Sequence, residues 1–139
     1  MAVFVMDASA TLPWCFADEA TDATNALLTR LQAGDEALVP GHWPAEVANA
    51  LLVALRRERI SRQDAQQFLA DLDVLPIRIE PTAHKLLRLA ILPLAEKHDL
   101  TIYDAAYLEL AIRQTVPLAT LDDDLRKAAR ASGVSLADR

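Results

Sequence analysis

The 139-residue chain predicts a three-layer α/β/α fold with a short central parallel sheet and helix-rich flanks. Three observations predict it. Short apolar runs alternate with longer stretches of helical periodicity, the pattern of repeated βα units. The first run, Val3-Phe4-Val5, is apolar without a polar alternate, as a strand covered on both faces is. Ala and Leu dominate and only 3 Gly occur, a composition suited to helices rather than to a sandwich or barrel.

Each element follows in order. Residues 3–5 read as the first strand, with Asp7 just past its carboxyl end. Ser9, Thr11 and Pro13 mark a helix start; capping alone accounts for Asp7 and Ser9 as readily as chemistry does. Residues 20–34 form an amphipathic helix with Ala23, Ala26, Leu27 and Leu31 on one side and Gly34 as its stop. Residues 37–40 read as a second strand. Trp43-Pro44 opens a helix that is apolar nearly all round to Leu55 and is therefore expected to be buried. Its strongly polar positions, Glu46 and Asn49, lie three apart on one face. A buried carboxylate and amide without partners cost several kcal/mol, roughly 1–3 for the amide alone, so a role is expected for both. Ser61 with Asp64 caps a helix over 62–72. Residues 76–81 alternate like an edge strand. Thr82 is the expected cap of a helix over 83–98, kinked or split at Pro93. Asp104 stands at the start of a buried helix ending near Gln114. Residues 116–119 form a strand, Asp122 follows it, a helix carries Leu125, Ala128 and Ala129, and residues 134–136 suggest a last short strand.

Bulk properties narrow the class. The length suits one domain over 1–139, and 53% hydrophobic residues argue against disorder. The single cysteine, Cys15, excludes an internal disulfide and any cysteine-rich zinc site. His84 and His98 read as surface residues, and no His pair has metal-ligand spacing. No apolar stretch spans a bilayer, and residues 1–6 lack the basic start and cleavage site of a signal peptide, so a cytoplasmic location is the default expectation. A net charge of −6 leaves no basic footprint for passive nucleic-acid binding. The run Arg56-Arg57-Glu58-Arg59-Ile60-Ser61-Arg62 reads first as a solvated helix end. Arg56, Arg57, Arg59 and Arg62 are nonetheless the best candidates for an RNA-backbone contact.

The acidic residues carry the chemistry. Right-handed crossovers place all strand ends on one edge, so Asp7, Glu46, Asp104 and Asp122 would gather there. Two carboxylates ~4 Å apart repel by about 1 kcal/mol in water and about 4 at an effective dielectric of 20. A hard divalent cation such as Mg²⁺ or Mn²⁺ resolves that conflict and can activate water at a phosphodiester.

The motifs Met6-Asp7-Ala8-Ser9, Glu46-Val47-Ala48-Asn49-Ala50-Leu51, Tyr103-Asp104-Ala105-Ala106-Tyr107 and Ala119-Thr120-Leu121-Asp122 with Leu125 run in this order across nearly the whole chain. In that arrangement the chain resembles PIN-domain ribonucleases, specifically the VapC-type toxins of bacterial toxin–antitoxin pairs. The resemblance implies a PIN fold, Mg²⁺- or Mn²⁺-dependent endoribonuclease activity, a homodimer and a cognate VapB-type antitoxin. It implies that Asp7, Glu46, Asp104 and Asp122 are the catalytic, metal-binding carboxylates, with Ser9, Asn49 and Thr120 orienting them. The Thr-x-Asp-x-x-Leu spacing selects Asp122, with Asp124 as the alternative bearer. Two rival readings are a haloacid-dehalogenase-like phosphatase and a catalytically inert PIN-like interaction domain. The first needs a second Asp where Ser9 stands; the second is unsupported while all four acidic positions are filled.

Overall fold

A computed structural model describes residues 1–137; the single domain expected over 1–139 extends to Asp138 and Arg139, which lie outside the described residues. Four parallel strands form one sheet in the order β3-β2-β1-β4. They are β1 (Val3–Met6), β2 (Glu36–Pro40), β3 (Ile77–Glu80) and β4 (Leu118–Ala119). Phe4, Val5 and Met6 are fully buried, as a strand covered on both faces requires. The order runs outward from β1 through β2 to β3, then returns to place β4 on the other side of β1. The switch point therefore lies between β1 and β4, the place where open α/β sheets bind ligands at their carboxyl ends. β3 is an edge, as expected; Arg78 on it pairs with Glu36 and Glu80, which blunts the edge with charge.

Helices flank this sheet: α1 (Ala8–Thr11), α2 (Asp22–Gln32), α3 (Trp43–Arg56) and α4 (Arg62–Asp73) come first. Thr21 and Thr24 close a reciprocal capping box on α2, and Gly34, at φ 111°, supplies the left-handed turn that ends it. Ser61 caps α4 through the Asp64 amide, as its spacing predicts. Helix α3 departs from expectation. Only Trp43, Val47, Leu51 and Ala54 are buried, while Ala48, Asn49 and Leu52 are exposed. Asn49 lies two residues past Val47, about 200° round the helix, and so points away from the buried stripe.

The segment after β3 also differs. Thr82 does not cap it. Ala83 takes the cap position without a side-chain bond, and Thr82 stands against Gly41 in the turn after β2. Short α5 (His84–Leu86) leads into a π turn (Leu87–Ile91), where the Leu92 amide reaches back to the Leu87 carbonyl, and then α6 (Leu92–His98). Pro93 thus splits the helix as anticipated. The widened turn accommodates a ring that lacks an N–H and clashes with the carbonyl four residues back.

Helix α7 (Ile102–Gln114) is the centre of the core: Ala105 through Ala111 are all buried, and it packs on β1, β2 and β4. The acid inside that run, Glu109, is satisfied by Arg113 at 3.0 Å one turn on. Helix α8 (Asp123–Ala131) completes the fold. Residues 134–136 make an isolated parallel bridge, Leu118 to Leu136, rather than a strand. Among the described residues, no helix is long and apolar enough to cross a membrane.

Leu108→Ala should cost about 2–5 kcal/mol, because a fully buried leucine leaves a cavity at the sheet interface. Ile112→Ala on the exposed side of the same helix should stay within about 0.5 kcal/mol. Chemical denaturation of both variants checks the contrast; similar losses would mean that α7 does not organise the core.

Candidate active site

Asp7 leaves the carboxyl end of β1 and caps α1. The chain passes from strand to helix within one residue, so its side chain folds back to accept the Ala10 amide at 3.0 Å. The same Oδ1 accepts the Ser9 hydroxyl at 2.7 Å, and Oδ2 accepts the Thr120 hydroxyl at 2.5 Å across the switch point. Each hydroxyl has one proton and has used it, so the 3.3 Å approach of Ser9 to Thr120 adds no third bond. Both oxygens accept in turn: Ser9 from the Leu121 amide at 2.9 Å, Thr120 from the Asp122 amide at 3.1 Å. Arg126 ties down the Thr120 carbonyl at 2.8 Å. The two hydroxyls therefore stitch β1 to the start of α8 and leave Asp7 only 5% exposed. Burial raises its carboxyl to about 6 against three hydrogen bonds that favour the charge, and Asp104 adds repulsion.

Asp104 is in the first turn of α7, but it is not the cap. Thr101 caps that helix by accepting the Asp104 amide at 3.1 Å, so helix capping does not account for the Asp104 carboxylate. Half-buried, that carboxyl is raised by burial first, then by Asp122 and by Glu46. Asp104 thus lies in the field of all three other carboxylates. Asp122 does cap α8, through Oδ2 and the Leu125 amide at 2.8 Å. Asp123 and Asp124 are exposed; Asp124 faces a cleft with Lys97, His98 and Lys127 instead.

Glu46, in the first turn of α3, accepts the Tyr107 hydroxyl at 2.5 Å. His42 Nε2 comes within 3.0 Å of the same oxygen, though out of good hydrogen-bond alignment. Burial alone would raise the Glu46 carboxyl; His42 and Tyr107 outweigh it and hold the group below its usual range. Burial and then Glu46 drive the Tyr107 hydroxyl far above its own range, so it remains a donor.

Sequence reasoning passed over His42 and Tyr107. No histidine pair has metal-ligand spacing, and Tyr107 fits the apolar period of α7. The signal for His42 was its position directly after β2, on the same sheet edge as Asp7. Asn49, expected to orient the carboxylates, is exposed and makes no hydrogen bond to them. The arginines stand apart as well. Arg56 is ten residues from Glu46, about 15 Å along the helix. Arg59 is engaged with Asp18, Glu19 and the Phe16 ring.

Four carboxylates and two hydroxyls form an all-oxygen donor set, which fits a hard divalent cation. Among the described residues no three His, Cys, Asp or Glu side chains already surround one point. Unscreened like charges hold one another apart, so closing on an ion needs side-chain movement.

Known proteins provide a frame for this geometry. The PIN domain family matches residues 4–131. Ribonuclease VapC1 of Mycobacterium tuberculosis, in strains CDC 1551 / Oshkosh and H37Rv, is 38% identical over 84 residues, which is 60% of this chain. The match spans 61% of the length of those relatives. PAE2754 from Pyrobaculum aerophilum superposes with a TM-score of 0.72 at 20% identity over 91% of this chain and 79% of its own. VapBC2 from Rickettsia felis, crystallised on a DNA fragment from its promoter, gives 0.64 at 14% identity, over 96% of each chain. At such identities the two structures speak to fold alone.

The folded Asp7 carboxyl binds its proton more tightly than the unfolded one, near 3.8. Its contribution to stability is present at low pH and is lost as pH rises through about 4 to 6, on the order of 3 kcal/mol. Without divalent cations, Asp7→Asn should therefore stabilise the protein at pH 7.5 and lose most of that advantage at pH 4.5. Urea denaturation at both values in EDTA measures it; an advantage independent of pH would place the strain elsewhere.

Proposed function

The chain belongs to the PIN domain family, and from that premise we propose that it is a single-domain, metal-dependent endoribonuclease over residues 1–139, the toxin of a toxin–antitoxin pair. What supports the reading is the mutual repulsion that links Asp104 to Asp7, Glu46 and Asp122 near one sheet edge. The partial match to a ribonuclease of the VapC type supports it.

In this reading Asp7, Glu46, Asp104 and Asp122 hold Mg²⁺ or Mn²⁺. The ion, when bound, neutralises charge on a phosphodiester and activates water. The chain's own residues supply the orientation. Ser9 and Thr120 fix Asp7 from two sides, and the Tyr107 hydroxyl and the His42 ring fix Glu46. Binding of the ion requires Asp7 to give up its proton, so affinity should fall as pH drops through about 6. The proposal extends to a homodimer in the cytoplasm and to a VapB-type antitoxin, for which the VapBC2 complex is the precedent. A dehalogenase-like phosphatase has no general acid here, because the Ser9 hydroxyl is spent on Asp7 and on the Leu121 amide.

Purified protein should cut total cellular RNA with Mn²⁺ or Mg²⁺ and not with EDTA, and Asp7→Ala and Asp104→Asn should lower cutting at least ~100-fold, beyond the roughly 10–100-fold that loss of a ligand's supporting partner costs. Mn²⁺ should raise the wild-type melting temperature and shift Asp104→Asn much less. Equal cutting by all three proteins would expose a contaminant, and equal thermal shifts would put the ion elsewhere.

A further inference from the structure

We propose that Tyr103, His42 and the apolar groove behind them form a nucleobase subsite, in which a base flanking the bond to be cut leaves its stack and lies on the Tyr103 ring. This deepens the ribonuclease reading and rests on it.

Tyr103 is 60% exposed, although it precedes the most buried run of the chain. It is nonetheless held. The His42 ring lies 5.4 Å away, tilted by 59°, and His42 meets Tyr107 edge-on at 5.0 Å and 70°. Tyr107 in turn bonds Glu46. The exposed ring is therefore the outer end of a row of three aromatics anchored on a candidate catalytic carboxylate. An aromatic held in one orientation is a stacking platform that loses little freedom when a flat ligand settles on it. Beside it, Gly41, Thr82, Leu87, Ile102 and Ala106 line an open groove of about 600 Å³, within the range of small-molecule sites. Gly41 and His42 come from the turn after β2, Thr82 from the loop after β3, and Ile102 and Tyr103 from the start of α7. All three segments meet at the sheet edge that carries the carboxylates.

Charge selects the occupant. The protein carries −6 overall, and neither Lys nor Arg lines the groove. A phosphate or an acidic peptide meets no lysine or arginine there. A nucleobase needs none, because stacking on an aromatic face is indifferent to sign and every base has such a face. Single-stranded RNA, whose bases can be splayed out, is the substrate form that can use it. Tyr103 adjoins Asp104 in the chain and His42 touches Glu46, so a base in the groove sits beside the carboxylates rather than remote from them.

The test uses an octaribonucleotide spanning a bond that the wild-type protein cuts, labelled with fluorescein, and a matched series with one abasic position each. Binding is read by anisotropy in the Asp104→Asn protein with Mn²⁺. One abasic position next to the cut should weaken binding about 5- to 100-fold, the range of one base–aromatic stack. Adding Tyr103→Ala should weaken the intact RNA by a similar factor and erase the abasic penalty; Tyr103→Trp should restore both. Tyr103→Ala alone should leave the Mn²⁺-induced thermal shift of the otherwise wild-type protein in place. Intact RNA bound as tightly by the Tyr103→Ala protein, or an abasic penalty that persists in it, overturns the subsite while leaving the ribonuclease standing, and points the groove toward a partner protein. Failure of the wild-type protein to cut any RNA with either metal sinks both.

Discussion

The structure depends on a repulsion. Four carboxylates are brought to the carboxyl edge of one small sheet, and Asp104 feels the other three. Nothing in the hydrophobic core asks for this, and burial makes it worse by disfavouring the charged forms. The surrounding architecture holds the charges in place. Parallel strands with helices between them put every strand end on one edge, and the β1/β4 switch point opens a gap there. Helix starts then provide amides: Asp7 and Asp122 each cap a helix with one oxygen. Hydroxyl groups from Ser9, Thr120 and Tyr107 provide the rest.

The two halves of the edge are treated differently. Asp7 is clamped by uncharged donors and remains raised to about 6. Glu46 is held below its ordinary range by a phenol and an imidazole and stays charged. Pairs of titratable groups pushed apart in this way are typical of working sites rather than of structural ion pairs. The same economy bears on how an acidic protein would address RNA in the proposed reading. Arg56 is about 15 Å from Glu46 along α3, and Arg59 is committed to Asp18 and Glu19, so an aromatic face near the carboxylates is a better source of contact than the basic turn.

Much of this was legible in the sequence, for physical reasons. The apolar runs of β1 and β2 and the cap at Ser61 are local signals. Asp7, Glu46, Asp104 and Asp122 could be placed because strand ends and helix starts are local too. What escaped was long-range. Tyr107 shows the period of a core residue, and only the approach of α3 reveals that its hydroxyl reaches Glu46. His42 gains a role only where two tyrosines close around it. Asn49 erred in the other direction: i to i+3 spacing shows that two residues share a side of a helix, yet not that the side is buried. Thr82 resembles a cap in sequence, but its place beside Gly41 is decided by two loops meeting.

The π turn at Leu87–Ile91 has a consequence for ancestry. Such a turn holds one residue more than an α turn would over the same stretch of axis. A cousin chain with alanine in place of Pro93 needs no widening there and can run a regular helix by dropping a single residue. The two chains would then be out of step by one between Leu86 and Leu92 and in step on either side. Descent traced through this segment by matching letters would misassign a turn of helix, while the groups from Gly41 to Glu46 and from Thr101 to Asp122 kept their correspondence.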